Sequence, residues 1–185
     1  MEDQKDKVIK YFGHGTNRDH DMMAAIIGRN NIAGEPGKLL GYELGIQKIE
    51  NMREKIPENS PIKKPPCDIV KDFQGTNFEM YVVRPNSDAV THGMIWDVTP
   101  DEFEILSDWE AVDCGVQENI ETIAINNKGE KISIITHGLL NHPRDVDRIV
   151  EGKDYEAYII SRDQMLSSAE VLRKDFLRRK KEVEK

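Results

Sequence analysis

The chain has 185 residues and a formal net charge of −8, with 38% hydrophobic and 32% charged residues, which suits one core with an appendage. The acidic balance argues against nucleic acid or an anionic membrane as main partner, because phosphate contacts need clustered Lys and Arg. No apolar run approaches the roughly 18 residues of a membrane span, and the charged start MEDQKDK does not read as a signal peptide.

In chain order, residues 7–12 (KVIKYF) read as a strand and Gly13 to Asn17 (GHGTN) as a glycine-bearing turn. Asp19 or Asp21 then caps a helix through MMAAIIGR, with Met22, Ile26 and Ile27 on one side. Asn30 to Lys38 is turn-rich, and 39–49 read as a strand whose interior glycine marks a bulge or close backbone approach. Residues 51–72 carry Pro57, Pro61, Pro65 and Pro66 among charges and read as a long surface loop, either a lid or an inert insertion. Strand character resumes over 77–84, PNSD at 85–88 reads as a turn, and 91–98 as a further strand. Residues 120–126 and 131–137 form a hairpin around Asn127 to Gly129. IVEGKDYEAYIIS holds a short helical or extended piece. From about Asp163 the chain reads as a helix with Met165, Ala169, Leu172 and Phe176 on one side, and the basic run Arg178 to Lys181 reads as its solvated end.

Between 91–98 and the hairpin, VTPDEFEILSDWEAVDCG predicts a short helix with Thr99 as N-cap, Pro100 in the first position and Glu102 completing a capping box. Phe103, Leu106 and Glu110 fall on one face. A carboxylate beside Phe and Leu is costly unless paired, hydrated or used, and desolvation would raise its pKa toward that of a general acid or base. Alternatively the helix frays before Glu110 and the side chain reaches water. Asp108, the nearest rival carboxylate, points away from Phe103 on a continuous helix and is expected in solvent.

Gly13 to Asn17 admits two readings: a backbone cradle for a carboxylate or phosphate, or a plain tight turn. It lacks the Gly-Lys-Ser/Thr ending of a phosphate loop and the third glycine of a dinucleotide fingerprint. The five histidines (His14, His20, His92, His137, His142) show no HExxH spacing, so no metal site is expected; His14 and His137 read as hydrogen-bonding groups. Cys67 and Cys114 allow at most one bridge and form no CxxC pair. A reducing cytoplasm is the simplest expectation, with Cys114 a bystander thiol rather than a nucleophile.

Taken together, these features resemble the gamma-glutamylcyclotransferase-like family over roughly residues 8–137. Tyr11-Phe12-Gly13 followed by His14-Gly15-Thr16-Asn17 stands where the family has a strand and a Tyr-Gly-Ser-Asn turn. Gly41-Tyr42-Glu43-Leu44 matches its Gly-Tyr-x-Leu strand, and Gly93-Met94-Ile95-Trp96 with Thr99-Pro100 its Gly-led strand running into a helix. Ser107-Asp108-Trp109-Glu110-Ala111 matches the carboxylate-bearing helix end. The departures are His14 for Tyr, Thr16 for Ser, Ala111 for the glycine after the glutamate, and the length of 51–72; they bear on substrate choice more than on fold.

The resemblance implies an α+β (mixed) fold: a small, cavity-containing, barrel-like β-sheet with short flanking helices and a charged C-terminal helix. It implies a domain over 1–140 and a mostly helical extension over 141–185. It also implies a cytoplasmic, cofactor-independent enzyme that releases 5-oxoproline and an amine or amino acid from a gamma-glutamyl compound. Glu110 would be the catalytic acid/base, and Gly13, His14, Gly15, Thr16 and Asn17 would hold the substrate. The alternative is a non-catalytic small-molecule-binding or protein-interaction module on the same fold.

Overall fold

Tyr11 and Phe12 point to opposite sides of the first strand, and the layout of the molecule follows from that split. In the computed structural model, which describes residues 7–56, 58–60, 62–140, 146–150 and 160–183, both side chains are fully buried, but in different cores. Phe12 lies inside a barrel with Leu39, Ile46, Val83, Ile95, Ile120 and Ile134. Tyr11 faces outward into a layer where helices cover the sheet, with Met22, Ile26, Trp96, Leu106, Met165 and Ala169. Strand alternation thus serves two hydrophobic faces at once.

The barrel is made of β1 (Ile9–Gly13), β2 (Gly34–Lys48), β3 (Glu79–Val98), β4 (Glu118–Asn126) and β5 (Lys131–Gly138). Their order is β3-β1-β5-β4-β2, and pairing of β2 with β3 closes the ring. β1 runs antiparallel to β3 and parallel to β5, so the barrel is mixed. A short β6 (Arg148–Ile149) pairs with Gly45 and Ile46 of β2, and residues 151–159 of the expected IVEGKDYEAYIIS piece lie outside the described residues.

The helices are α1 (His20–Ile27), α2 (Pro66–Gln74), α3 (Pro100–Trp109) and α4 (Arg162–Val183). Asp19 caps α1 by accepting from the Asp21 and Met22 amides, which resolves the choice between Asp19 and Asp21. The capping box of α3 is present as expected, with Thr99 and Glu102 exchanging bonds.

Three expectations about the secondary structure need correction. The turn-rich reading of Asn30 to Lys38 is too long, because β2 already starts at Gly34 and pairs there with Trp96. PNSD does not end a strand. β3 runs through it, and the register jumps from Leu40↔Val90 to Tyr42↔Pro85, so residues 86–89 oppose Gly41 alone. Gly41 sits at φ 78°, the left-handed conformation that this bulge demands. The loop expected over 51–72 holds most of α2. Pro66 takes the first helical turn, where its missing N–H costs nothing, and Gly75 at φ 86° ends the helix.

α4 lies against α1 and α3. Met165 and Ala169 are its buried contacts, with Leu166 and Phe176 half-buried around them. Arg162 donates to the α1 cap Asp19 at 3.2 Å and to Asp21 at 2.5 Å, while Arg173 donates to the Ala25 carbonyl at the other end of α1 at 2.5 Å. The basic run is only partly solvated: Lys180 reaches Asp101 and Glu104 on α3 at 2.9 and 2.8 Å, and Arg179 reaches Asp108 at 2.8 Å. Asp108 is therefore ion-paired, contrary to the expectation of a solvent-facing carboxylate.

Candidate active site

The sequence places Glu110 at the end of α3, where its amide still bonds the Leu106 carbonyl at 3.0 Å. The helix does not fray before it, and the residue is only 8% exposed. Asn17 Nδ2 donates to one carboxylate oxygen at 2.6 Å, and Gln117 Nε2 donates to the other. Burial pushes the Glu110 carboxyl up to about 7, against the opposing pull of these two bonds. A carboxyl titrating near neutrality can both take and return a proton at physiological pH.

Asn17 is itself held on three sides. Its Nδ2 also donates to the Tyr11 hydroxyl at 2.9 Å, and its carbonyl accepts from Trp96 Nε1 at 2.8 Å. Burial, and then the nearby Glu110 charge, raise the Tyr11 phenol well above its ordinary range, so it stays protonated. The turn before Asn17 is a short 3-10 helix over Gly15–Arg18. Gly15 sits at φ 54°, and a Cβ there would lie 2.5 Å from Tyr81 Cβ. A Cβ on Gly13 would lie 2.4 Å from the Asn17 carbonyl oxygen. The two glycines let the turn fold tightly against β3 and bring Asn17 to Glu110.

His14 Nε2 lies 2.7 Å from the carbonyl of His137. A carbonyl only accepts, so Nε2 carries the proton and Nδ1 is an acceptor. Burial lowers the His14 pKa to about 4 and keeps the ring neutral; Nδ1 is buried with no hydrogen-bond partner among the described residues. His137 lies between Tyr11 and Phe103, at ring-centroid distances of 5.3 and 5.4 Å. Burial and then the neighbouring His14 lower its pKa to about 3, so it is also neutral. Both histidines act as hydrogen-bonding groups, and among the described residues no cluster of His, Cys, Asp and Glu has the makings of a metal site.

A cavity of about 310 Å³ opens beside this cluster, within the range of small-molecule sites. His14, Thr16 and Glu110 line it together, so two of the five turn residues meet the candidate carboxylate on one wall. Gly13, Gly15 and Asn17 shape and brace that wall from behind. Ala111 follows Glu110 on the cavity wall and adopts φ 53°, the left-handed conformation that glycine favours. Cys114 also lines the cavity, but burial and then the Asp108 and Asp113 charges push its thiol up to about 11, so it is a poor nucleophile.

Gln117 has no signal in the sequence. It lies seven residues after Glu110 across an irregular segment, so neither helical nor strand periodicity links the two. Tyr11 reads only as part of a strand. Its role beneath Asn17 depends on the barrel wall that brings both residues to the end of α3.

No protein-family model matches the sequence, and no curated protein matches it by sequence. Solved structures resemble it in shape. A structure named gamma-glutamyl cyclotransferase superposes with a TM-score of 0.56 at 11% identity, covering 88% of this chain and 78% of that one. The human protein described as uncharacterized protein loc79017 gives a TM-score of 0.55 at 12% identity, covering 89% and 79%. At5g39720.1 from Arabidopsis thaliana gives 0.50 at 16% identity, covering 97% and 93%. At such identities the likeness concerns the path of the chain. The closed barrel, the flanking helices and the C-terminal helix agree with what the sequence motifs lead one to expect: the chain has the gamma-glutamylcyclotransferase-like fold.

Proposed function

We propose that the protein cyclises the glutamyl part of a gamma-glutamyl amide, releasing 5-oxoproline and a free amine. The observation that carries this reading is the buried Glu110 carboxyl, poised near neutrality on a cavity wall shared with His14 and Thr16. In the reaction the substrate's α-amine nitrogen attacks its own γ-carbonyl carbon. A C–N bond forms to close the lactam, and the amide C–N bond to the leaving amine breaks. The attacking nitrogen goes from ammonium to lactam N–H and so loses two protons; Glu110 takes each in turn and passes it to the departing nitrogen, which leaves as an ammonium while Glu110 ends as it began. No covalent enzyme intermediate is required, because both reacting groups belong to one molecule and the site's task is to fold them together.

His14 Nδ1 offers an acceptor to the α-ammonium, and the backbone N–H groups of His14 and Thr16, the turn residues on the cavity wall, are offered to the α-carboxylate or to the oxyanion. Asn17 and Gln117 hold the carboxylate in one orientation.

The test is incubation with gamma-glutamyl dipeptides, glutathione and gamma-glutamyl amines, with 5-oxoproline read by mass spectrometry. Wild type is expected to release it, with kcat/KM rising as the pH passes through about 7. Glu110→Gln should lose roughly 100- to 10,000-fold in turnover while still binding substrate. Full activity in that variant would remove Glu110 from the chemistry.

One observation favours a second reading: both Glu110 oxygens are already bonded to side-chain amides, as in a purely structural carboxylate. A non-catalytic binding module would release no 5-oxoproline from any of these compounds.

A further inference from the structure

The cavity has two unlike ends. One carries the polar groups His14 and Thr16, from the glycine turn that follows β1, and Glu110, from the end of α3. The other is built by segments remote from that chemistry: Val70 and Phe73 from α2, Phe78 and Met80 from the approach to and start of β3, and Met165 and Leu172 from α4. α2 is fixed in place by packing of Val70 with Cys114 and Val116, just beyond Glu110.

The charged groups at this end are already ion-paired. Arg179 binds Asp108 and Asp175, each at 2.8 Å, and Glu79 lies 3.5 Å from Arg148. A carboxylate arriving on a ligand would therefore have to displace an existing pair to reach Arg179. A ligand ammonium or carboxylate set against the apolar side chains would lose its water without replacement. The volume of about 310 Å³ is at the small end of ligand sites, enough for a glutamyl group and one further side chain, and too small for a polypeptide.

We propose that this end of the cavity is the leaving-amine subsite and that it selects gamma-glutamyl compounds whose amine part carries an aromatic or branched aliphatic side chain. This rests on the cyclotransferase reading, which requires the glutamyl amine and γ-carbonyl to meet Glu110 and so directs the rest of the molecule along the wall of α2 and α4. Phe73 and Val70 are the specificity-determining residues, and α2, which begins within the Pro-rich segment, supplies them.

The experiment compares kcat/KM for gamma-glutamyl-phenylalanine and gamma-glutamyl-leucine with gamma-glutamyl-glycine, gamma-glutamyl-lysine and gamma-glutamyl-aspartate. The apolar pair should exceed the others by on the order of 10- to 100-fold, the worth of burying one large side chain. Phe73→Ser, at a position already 62% exposed and so compatible with folding, should narrow the phenylalanine-to-glycine ratio several-fold. Equal or better turnover of the glycine or charged compounds would overturn the proposal and leave the cyclotransferase reading standing.

If no compound is turned over, the cyclotransferase reading fails, and the subsite is judged by binding alone. Gamma-glutamyl-phenylalanine and gamma-glutamyl-glycine are then titrated calorimetrically, with quenching of Trp109 on the cavity wall as a second readout. Tighter binding of the phenylalanine compound sustains the apolar subsite; equal, weaker or absent binding overturns it.

Discussion

At the scale of single residues, Glu110 trades stability for a pKa near neutrality. Unfolded, it releases its proton near the ordinary value of 4.5; folded, near 7. Between those values the folded state binds more protons than the unfolded state, so stability falls as pH rises across that window. The full penalty, about 3 kcal/mol, is present above pH 7 and absent below about pH 4.5. Urea unfolding of wild type and Glu110→Gln at pH 5 and pH 8 should show the gap between them moving toward the variant's favour by roughly that amount; a gap independent of pH would contradict the buried, raised carboxyl. Ala111, next in sequence, holds a left-handed backbone at φ 53°. Replacing it with glycine should raise stability by about 0.5–1 kcal/mol, measurable by thermal melting, since the steric cost of a Cβ there disappears. Glu110 is legible in the sequence, because a carboxylate in register with Phe103 and Leu106 is an anomaly that helical periodicity exposes. Gln117 is not, because its approach depends on how residues 111–116 turn, and that path follows no repeating pattern.

At the scale of elements, local chemistry is readable wherever a cap or a turn dictates the backbone. The α3 capping box is the clearest case, and Thr99→Ala should cost about 1 kcal/mol in a denaturant titration by leaving the Glu102 amide without its acceptor. The β4–β5 hairpin is another: Asn126 Oδ1 accepts from the Lys128 and Glu130 amides and Gly129 takes φ 83°. Legibility fails where one residue type serves two structures. Proline breaks a helix interior but suits its first turn, so Pro65-Pro66 announces a loop where α2 begins. Asn, Ser and Asp favour turns, but opposite Gly41 they are accommodated as a wide bulge within a continuing strand. The polar face of α4 looks solvated in the sequence because its partners, Asp101, Glu104 and Asp108, lie some 70 to 80 residues earlier on α3.

At the scale of the whole molecule, motif order carries the fold class, but closure of the barrel leaves no local trace. The ring exists because β2 and β3 are long enough to pair from Gly34↔Trp96 to Lys48↔Glu79 while also reaching β4 and β1 on their other sides. Steric fit permits it only at particular positions: a Cβ on Gly93 would come within 2.5 Å of both the Gly13 carbonyl oxygen and the Phe12 ring. The candidate site lies where ring and helices meet, so it is complete only when the first strand, the insertion, the α3 end and the last helix are all in place. The location of β1 between β3 and β5 has a consequence for the order of events in synthesis. Its partners are residues 94–98 and Ile135, so this early strand has neither neighbour until most of the chain has left the ribosome. Contacts so distant in sequence slow folding. During that interval the segment that will carry His14 and Asn17 has no wall to rest on, and chaperone capture or aggregation of the nascent chain should concentrate on its exposed Tyr11-Phe12 pair.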